Sequence, residues 1–210
     1  MDQLMVILVR ALILVAVIPI HECAHGLAAG WLGDPTARQM GRTTLNPLAH
    51  LDRLGSLLLL FTGLGWAKPV PVDARNFKNP KAGMALTALA GPAANLLLAL
   101  VVMVLFKVLL RLGVYSLGLM FVFLILVQIT VQLAVFNLLP IPPLDGSRLV
   151  TALLPDRAYY GLMRYERVIM GVMMAALLFG VFDPPLGRAS QAILLGLDRL
   201  TGFLGVAIYY

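Results

Sequence analysis

Three stretches of this chain, roughly Leu4 to Leu32, Ala82 to Leu110 and Ser116 to Leu139, stay predominantly apolar for longer than the about 20 residues that a helix needs to cross a bilayer. In hydrocarbon a spanning segment must satisfy its own backbone polar groups, and a single open segment does so only as a helix. Composition agrees: 60% of the 210 residues are hydrophobic and 12% are charged, too apolar for a soluble domain of this size. The expected class is an all-α polytopic membrane protein. A formal charge of +6 does not point to nucleic acid, because the basic residues are spread over loops flanking the apolar stretches. Lipid headgroups and topology account for them. Cys23 is the one cysteine, which rules out an intrachain disulfide and leaves packing as its role. The N-terminus lacks a basic leader and a small-residue cleavage site, so the first stretch reads as a retained span.

Two further stretches are weaker. Val168 to Phe182 is short unless Ala158 to Arg167 extends it as an amphipathic start, and Ala189 to Tyr210 carries Asp198 and Arg199 midway, so it either crosses or lies along the interface. Leu54 to Trp66 has thirteen residues with three glycines, too short to span and better read as re-entrant or buried. On that reading the loop from Gly33 to Lys81 carries Arg38, Arg42, Arg53, Lys68, Arg75, Lys78 and Lys81. The segment after Pro140, on the same side, adds Arg148, Arg157, Arg164 and Arg167. The opposite side has Lys107, Arg111 and Arg188. The positive-inside rule then makes the first side cytoplasmic, with five spans, the N-terminus outside, and the C-terminus inside if both weak stretches cross.

Within the first stretch lies His21-Glu22-Cys23-Ala24-His25. Ionisable groups at that depth are expensive and mark function by default. On a helix His21 and His25 share a face, so both imidazoles can hold one metal ion while Glu22 points at its open position. Pro19 favours a kink just before them. A catalytic zinc needs a third protein ligand. Asp145 is best placed, because Pro140, Pro142 and Pro143 break the third stretch near its cytoplasmic end and the topology brings Asp145 to the level of the two histidines. N-capping of the helix that follows is the alternative role for Asp145, and His50 is the runner-up ligand. With such ligands, Glu22 would act as general base and then return its proton to the leaving amine. Asn137 and Asn95 are candidate donors to the oxyanion, or else polar residues of helix packing.

These residues resemble the site-2 protease family of intramembrane zinc metalloproteases. The likeness rests on His21-Glu22-Cys23-Ala24-His25, on Asn137-Leu-Leu-Pro-Ile-Pro-Pro-Leu-Asp145-Gly146 and on Gly91-Pro-Ala-Ala-Asn95. Arg42-Thr-Thr-Leu-Asn-Pro-Leu-Ala-His50 and Gly65-Trp-Ala-Lys-Pro-Val-Pro-Val72 add to it. The resemblance implies one Zn²⁺ per chain on His21, His25 and Asp145, with Glu22 catalytic; Asn95 and Asn137 stay the candidate substrate-binding residues of the reading above. It supports a three-helix core within residues 1–157 and implies a membrane-associated β-hairpin over Pro35 to Asn46; the apolar stretches add C-terminal transmembrane helices over 158–210, about five to six in all. The expected activity is peptide-bond hydrolysis in or near the transmembrane segment of a single-span protein or membrane-associated peptide. The setting is the cell membrane, with the site toward the cytoplasm. No PDZ or CBS module is read in the chain, so it resembles a minimal form. Other classes stay open, namely a proton or metal-ion transporter using the His/Asp cluster, or an inactive membrane scaffold. The sequence leaves the substrate and the oligomeric state open.

Overall fold

The computed structural model describes residues 3–63, 65–155 and 164–206. Among them the regular structure is helical, and the one strand-like pairing is an isolated antiparallel bridge between Leu51 and Ala67. Helix α1 (Gln3–Leu12) continues through a π-helical turn (Ile13–Val17) into α2 (Ile18–Trp31), so that Met5–Trp31 forms one apolar span. Pro19 has no N–H to offer the carbonyl of Val15, four residues back in the π turn. The disturbance expected at this proline takes the form of that widened turn.

A second span, α5 (Pro80–Arg111), is the centre of the molecule, packed against α2, α6 (Leu117–Asn137) and α7 (Asp145–Leu153). It starts where Asn79 accepts the Ala82 N–H at 3.1 Å, with Pro80 at the first helical position. Met103 and Phe106 of α5 bury against Val127 and Val131 of α6, and the rings of Phe106 and Phe123 stack with centroids 5.4 Å apart.

The C-terminal region departs from the expected span count. Helices α8 (Glu166–Leu178) and α9 (Asp183–Leu200) are bent by 81° at a short break, so three described helices are long and apolar enough to cross and the bent pair adds at most one crossing. Three ties on α5 show where this pair goes. Lys81 Nζ donates to the Leu154 carbonyl at the start of α5. Lys107 Nζ meets Asp198 Oδ1 at 2.6 Å, and Arg111 donates to the Leu204 carbonyl, both near the end of α5. Lys81 and Lys107 lie roughly 39 Å apart along the helix. Between residues 154 and 198 the chain therefore passes once along the length of α5. Because α2 is antiparallel to α5, residue 204 lies at the end where α1 begins, not at the opposite end as expected. The proposed start of the C-terminal region at residue 158, and most of the amphipathic stretch Ala158 to Arg167, lie outside the described residues.

Residues 54–66 do not cross. Asp52 caps α4 (Arg53–Thr62) by accepting the Gly55 N–H at 2.8 Å, and Gly63, with φ +85°, ends it. The chain then returns: Lys68 N–H donates to the His50 carbonyl beside the Leu51–Ala67 bridge, so the segment leaves and re-enters at one level. The return strand can lie on α4 because Gly55 and Gly65 carry no Cβ; one at Gly65 would run into the Gly55 carbonyl. Arg10 of α1 donates to the Leu60 carbonyl at 2.8 Å, placing its guanidinium at the carbonyl end of α4.

The hairpin expected over Pro35 to Asn46 is absent. Thr36–Gln39 forms a helical turn, α3, closed by bonds from Gly41 N–H to the Arg38 carbonyl and from Arg42 N–H to the Ala37 carbonyl, with Gly41 at φ +65°. That is a Schellman closure, and it consumes the backbone groups a strand would need. The turn is anchored by Asp34, which is fully buried. Its carboxylate accepts from the Thr36 N–H and hydroxyl, from Asn76 Nδ2 at 2.7 Å and from the Asp73 N–H at 2.8 Å, tying the two ends of the loop together. Burial pushes the Asp34 carboxyl up, but these hydrogen bonds outweigh it and hold the group below its ordinary value of 3.8. A depressed folded value means that the clasp's contribution is complete above the unfolded value and is lost as pH falls through the folded one. Hydrogen-exchange protection of the Thr36 and Asp73 amides should therefore collapse in acid, below the ordinary carboxylate range. In Asp34→Ala it should already be reduced at neutral pH, by about 1–3 kcal/mol in local opening free energy.

Candidate metal centre

Four residues apart on α2, His21 and His25 bring their Nε2 atoms to 3.0 Å, with the rings edge to face. Asp145 reaches them from α7. Pro140, Pro142 and Pro143 withhold three backbone donors, α6 stops at Asn137, and the chain turns into α7 within a few residues. Gly146 makes this seat fit, since a Cβ there would strike the carbonyl of Leu138. Asp145 Oδ2 lies 3.1 Å from His21 Nε2 and 3.3 Å from His25 Nε2. No side-chain cap closes α7 at its start, so Asp145 faces the imidazoles and does not cap its own helix.

The third wall is α5. His25 Nδ1 lies 2.7 Å from the Thr87 carbonyl, which can only accept, so the proton of this ring sits on Nδ1 and its Nε2 carries a lone pair. One turn on, Gly91 passes directly over both rings: a Cβ there would come within 2.5 Å of His25 Cε1 and 2.6 Å of His21 Cε1. A further turn brings the Asn95 amide, fully buried, to His21 Nδ1, with Nδ2 at 3.1 Å.

His21, His25 and Asp145 form a group whose ligand atoms all lie within 4.8 Å of one another. Their chemistry fits a divalent cation. Asp145 Oδ2 is buried and, although close to both rings, has no partner with hydrogen-bond geometry. A lone pair on His25 and a carboxylate oxygen at such separation repel unless positive charge lies between them. Two imidazoles and one carboxylate, with the outer nitrogen of each ring held by a second group, suit zinc.

Glu22 stands beside this group on α2, half-buried, and its Oε2 accepts the Val70 N–H at 3.1 Å. Val70 lies between Pro69 and Pro71, so this is the one N–H the three residues possess. His50 is not part of the cluster; its Nε2–H donates to the Thr44 carbonyl at 2.7 Å and fastens the loop. Asn137 donates to Leu133, within its own helix, at 3.0 Å. The roles of the Thr87 carbonyl, Gly91 and Val70 were missed in the sequence. The local signal in that part of α5 was Pro92, which cannot donate to the Ala88 carbonyl next to Thr87.

The family model described as peptidase family M50 matches residues 113–180, which include Asn137 and Asp145. The candidate zinc metalloprotease YwhC of Bacillus subtilis (strain 168) is 44% identical over 140 residues, 64% of this chain and 64% of its own. The candidate zinc metalloprotease Rip2 of Mycolicibacterium smegmatis is 32% identical over 134 residues, 60% of this chain and 50% of its own. The matched segments thus span less than two thirds of either relative. No solved structure matches the chain.

If α5 sets the ring positions through the missing Cβ, Gly91→Ala should push both imidazoles from Asp145. Divalent-ion affinity, titrated against a competing chelator, should fall at least about tenfold, with helix content unchanged.

Proposed function

We propose that this chain, which belongs to peptidase family M50, is a zinc metalloprotease that cuts peptide bonds in or beside the transmembrane segment of its substrates. The observation that carries this reading is the convergence of His21, His25 and Asp145 next to Glu22 on a helix apolar enough to cross a bilayer. On this reading the three side chains hold one Zn²⁺. When bound, the ion supplies Lewis acidity and lowers the pKa of a water.

The remaining steps belong to the chain. Glu22, on the turn of α2 between the two histidines, accepts the proton of the attacking water through its carboxylate and then delivers it to the departing amine nitrogen. Before it can do so at Oε2 the Val70 N–H must share or release that oxygen. The Thr87 carbonyl keeps His25 in one tautomer, and Gly91 keeps both rings in place. A helical substrate has its scissile carbonyl and amide already bonded, so a substrate must present locally unwound backbone, and cut sites should lie near helix-weakening residues. Asn137 remains the candidate polar contact for that backbone. The basic residues of the loop between the first two spans favour a cytoplasmic placement for the metal-centre end of α5, with the N-terminus outside.

Full-length protein in detergent should retain about one zinc per chain and release fragments from single-span peptides cut in or beside the apolar segment. Glu22→Gln should keep the zinc and lose cleavage by about 10²–10⁴-fold. Cleavage at the wild-type rate by this variant, or a wild-type protein without zinc, would refute the reading.

A further inference from the structure

The geometry points to Asn95 as a positioning residue for His21, one that acts on the ring and not on substrate: its amide oxygen accepts the His21 Nδ1 proton and so turns the Nε2 lone pair toward His25 and Asp145. The inference rests on the reading of the cluster as a metal centre and adds to it the group that sets the state of one ligand.

A neutral imidazole has one ring proton, and which nitrogen bears it is decided by the partners of the two. For His25 the matter is closed by the Thr87 carbonyl. For His21 the partner is an amide, which can either donate or accept. As placed, Asn95 Nδ2 lies 3.1 Å from His21 Nδ1, and Oδ1 of the same amide is buried with no partner. An amide N–H donating to Nδ1 would leave the proton on Nε2, aimed into the cluster, and a protonated nitrogen cannot bind a metal. Nitrogen and oxygen of an amide have nearly the same shape, so a half turn of the amide group exchanges them without moving anything else. After it, the buried oxygen has its donor, the His21 proton sits on Nδ1, matching His25, and Nδ2 takes the place that Oδ1 held. The rearrangement is favoured because it frees the His21 Nε2 lone pair for the cluster.

Asn95 has no exposed surface and lies four residues beyond Gly91 on the face of α5 that covers the rings, so its amide meets His21 and not solvent. A polar amide at membrane depth is tolerable where it is bonded in this way.

The test uses the full chain in detergent, labelled with ¹⁵N-histidine, with zinc alone as the probe. His50→Ala serves to assign the spectra. In metal-free protein at about pH 8, above the usual imidazole range, the His21 nitrogen shifts should report the Nδ1–H tautomer in the wild type. Asn95→Asp, which can only accept, should keep that tautomer and hold zinc affinity within about threefold, whereas Asn95→Leu should shift the ring toward Nε2–H and weaken zinc about 10–100-fold. A wild-type His21 protonated on Nε2, or an Asn95→Asp variant that loses as much affinity as Asn95→Leu, would overturn the positioning role. These outcomes are read against wild-type zinc binding. If the wild type binds no zinc, the metal-centre reading fails and the inference with it, whereas normal wild-type binding with unchanged affinity in Asn95→Leu removes the inference alone.

Discussion

Imidazoles and a carboxylate buried among apolar helices need partners for their polar atoms, and one stripe of α5 supplies those of the two outer ring nitrogens. Thr87, Gly91 and Asn95 are spaced by four, so they share a face. His21 and His25 are spaced by four on α2. The antiparallel contact of the two helices sets Thr87 on His25 and Asn95 on His21, with Gly91 between. The centre is therefore a condition on the register of two helices. A slip of one residue would rotate both stripes apart and leave ring nitrogens buried without partners, at about 1–3 kcal/mol each. Asp145 joins from a third helix, whose start is fixed by Gly146 against the end of α6.

The loop between the first two spans is fastened to the same structure at several points. Asp34 holds Asp73 and Asn76, Arg42 donates to the Lys68 carbonyl at 2.6 Å, and His50 meets Lys68 through its backbone carbonyl. Phe77 fills the space that Gly83 leaves on α5. Held between these ties is the stretch from Lys68 to Pro71, which gives its one internal N–H to Glu22. The position of that carboxylate thus depends on the folding of a segment distant in sequence, and anything that loosens the Asp34 clasp reaches Glu22 through the same chain of contacts.

The parts legible in the sequence were those with a local signature. Three long apolar runs became three long apolar helices, the four-residue spacing of His21 and His25 put them on one face, and the prolines before Asp145 turned the chain there. Leu54 to Trp66, too short to cross, does turn back. The C-terminal crossings were misjudged because hydropathy counts apolar residues without seeing direction. The bend of 81° between α8 and α9 merges two candidate spans into one passage, fixed from outside by Lys107 and Asp198. The hairpin failed for the opposite reason, since Gly41 and Asp34 impose a local helical turn that the borrowed pattern did not weigh. The partners of Asn95 were beyond a reading of one sequence, because the same residue suits helix packing, substrate or ligand support until its neighbour is known.

The interior prolines of the long spans, and those of the turn into α7, stand beside the candidate metal centre. Pro19 stands two residues before His21, Pro92 lies within the turn that separates Gly91 from Asn95, and Pro140, Pro142 and Pro143 precede Asp145. Each removes a backbone donor in an environment with no water to replace it, an expense a membrane helix avoids without reason. Their clustering at one level means that the chain gives up helical hydrogen bonds where its polar side chains need carbonyls and room. On α5 the carbonyl that Pro92 leaves without its helical donor is that of Ala88, next to the Thr87 carbonyl that meets His25 Nδ1. The missing donor and the bond to the imidazole thus fall on adjacent carbonyls of one turn, directly over the two histidines.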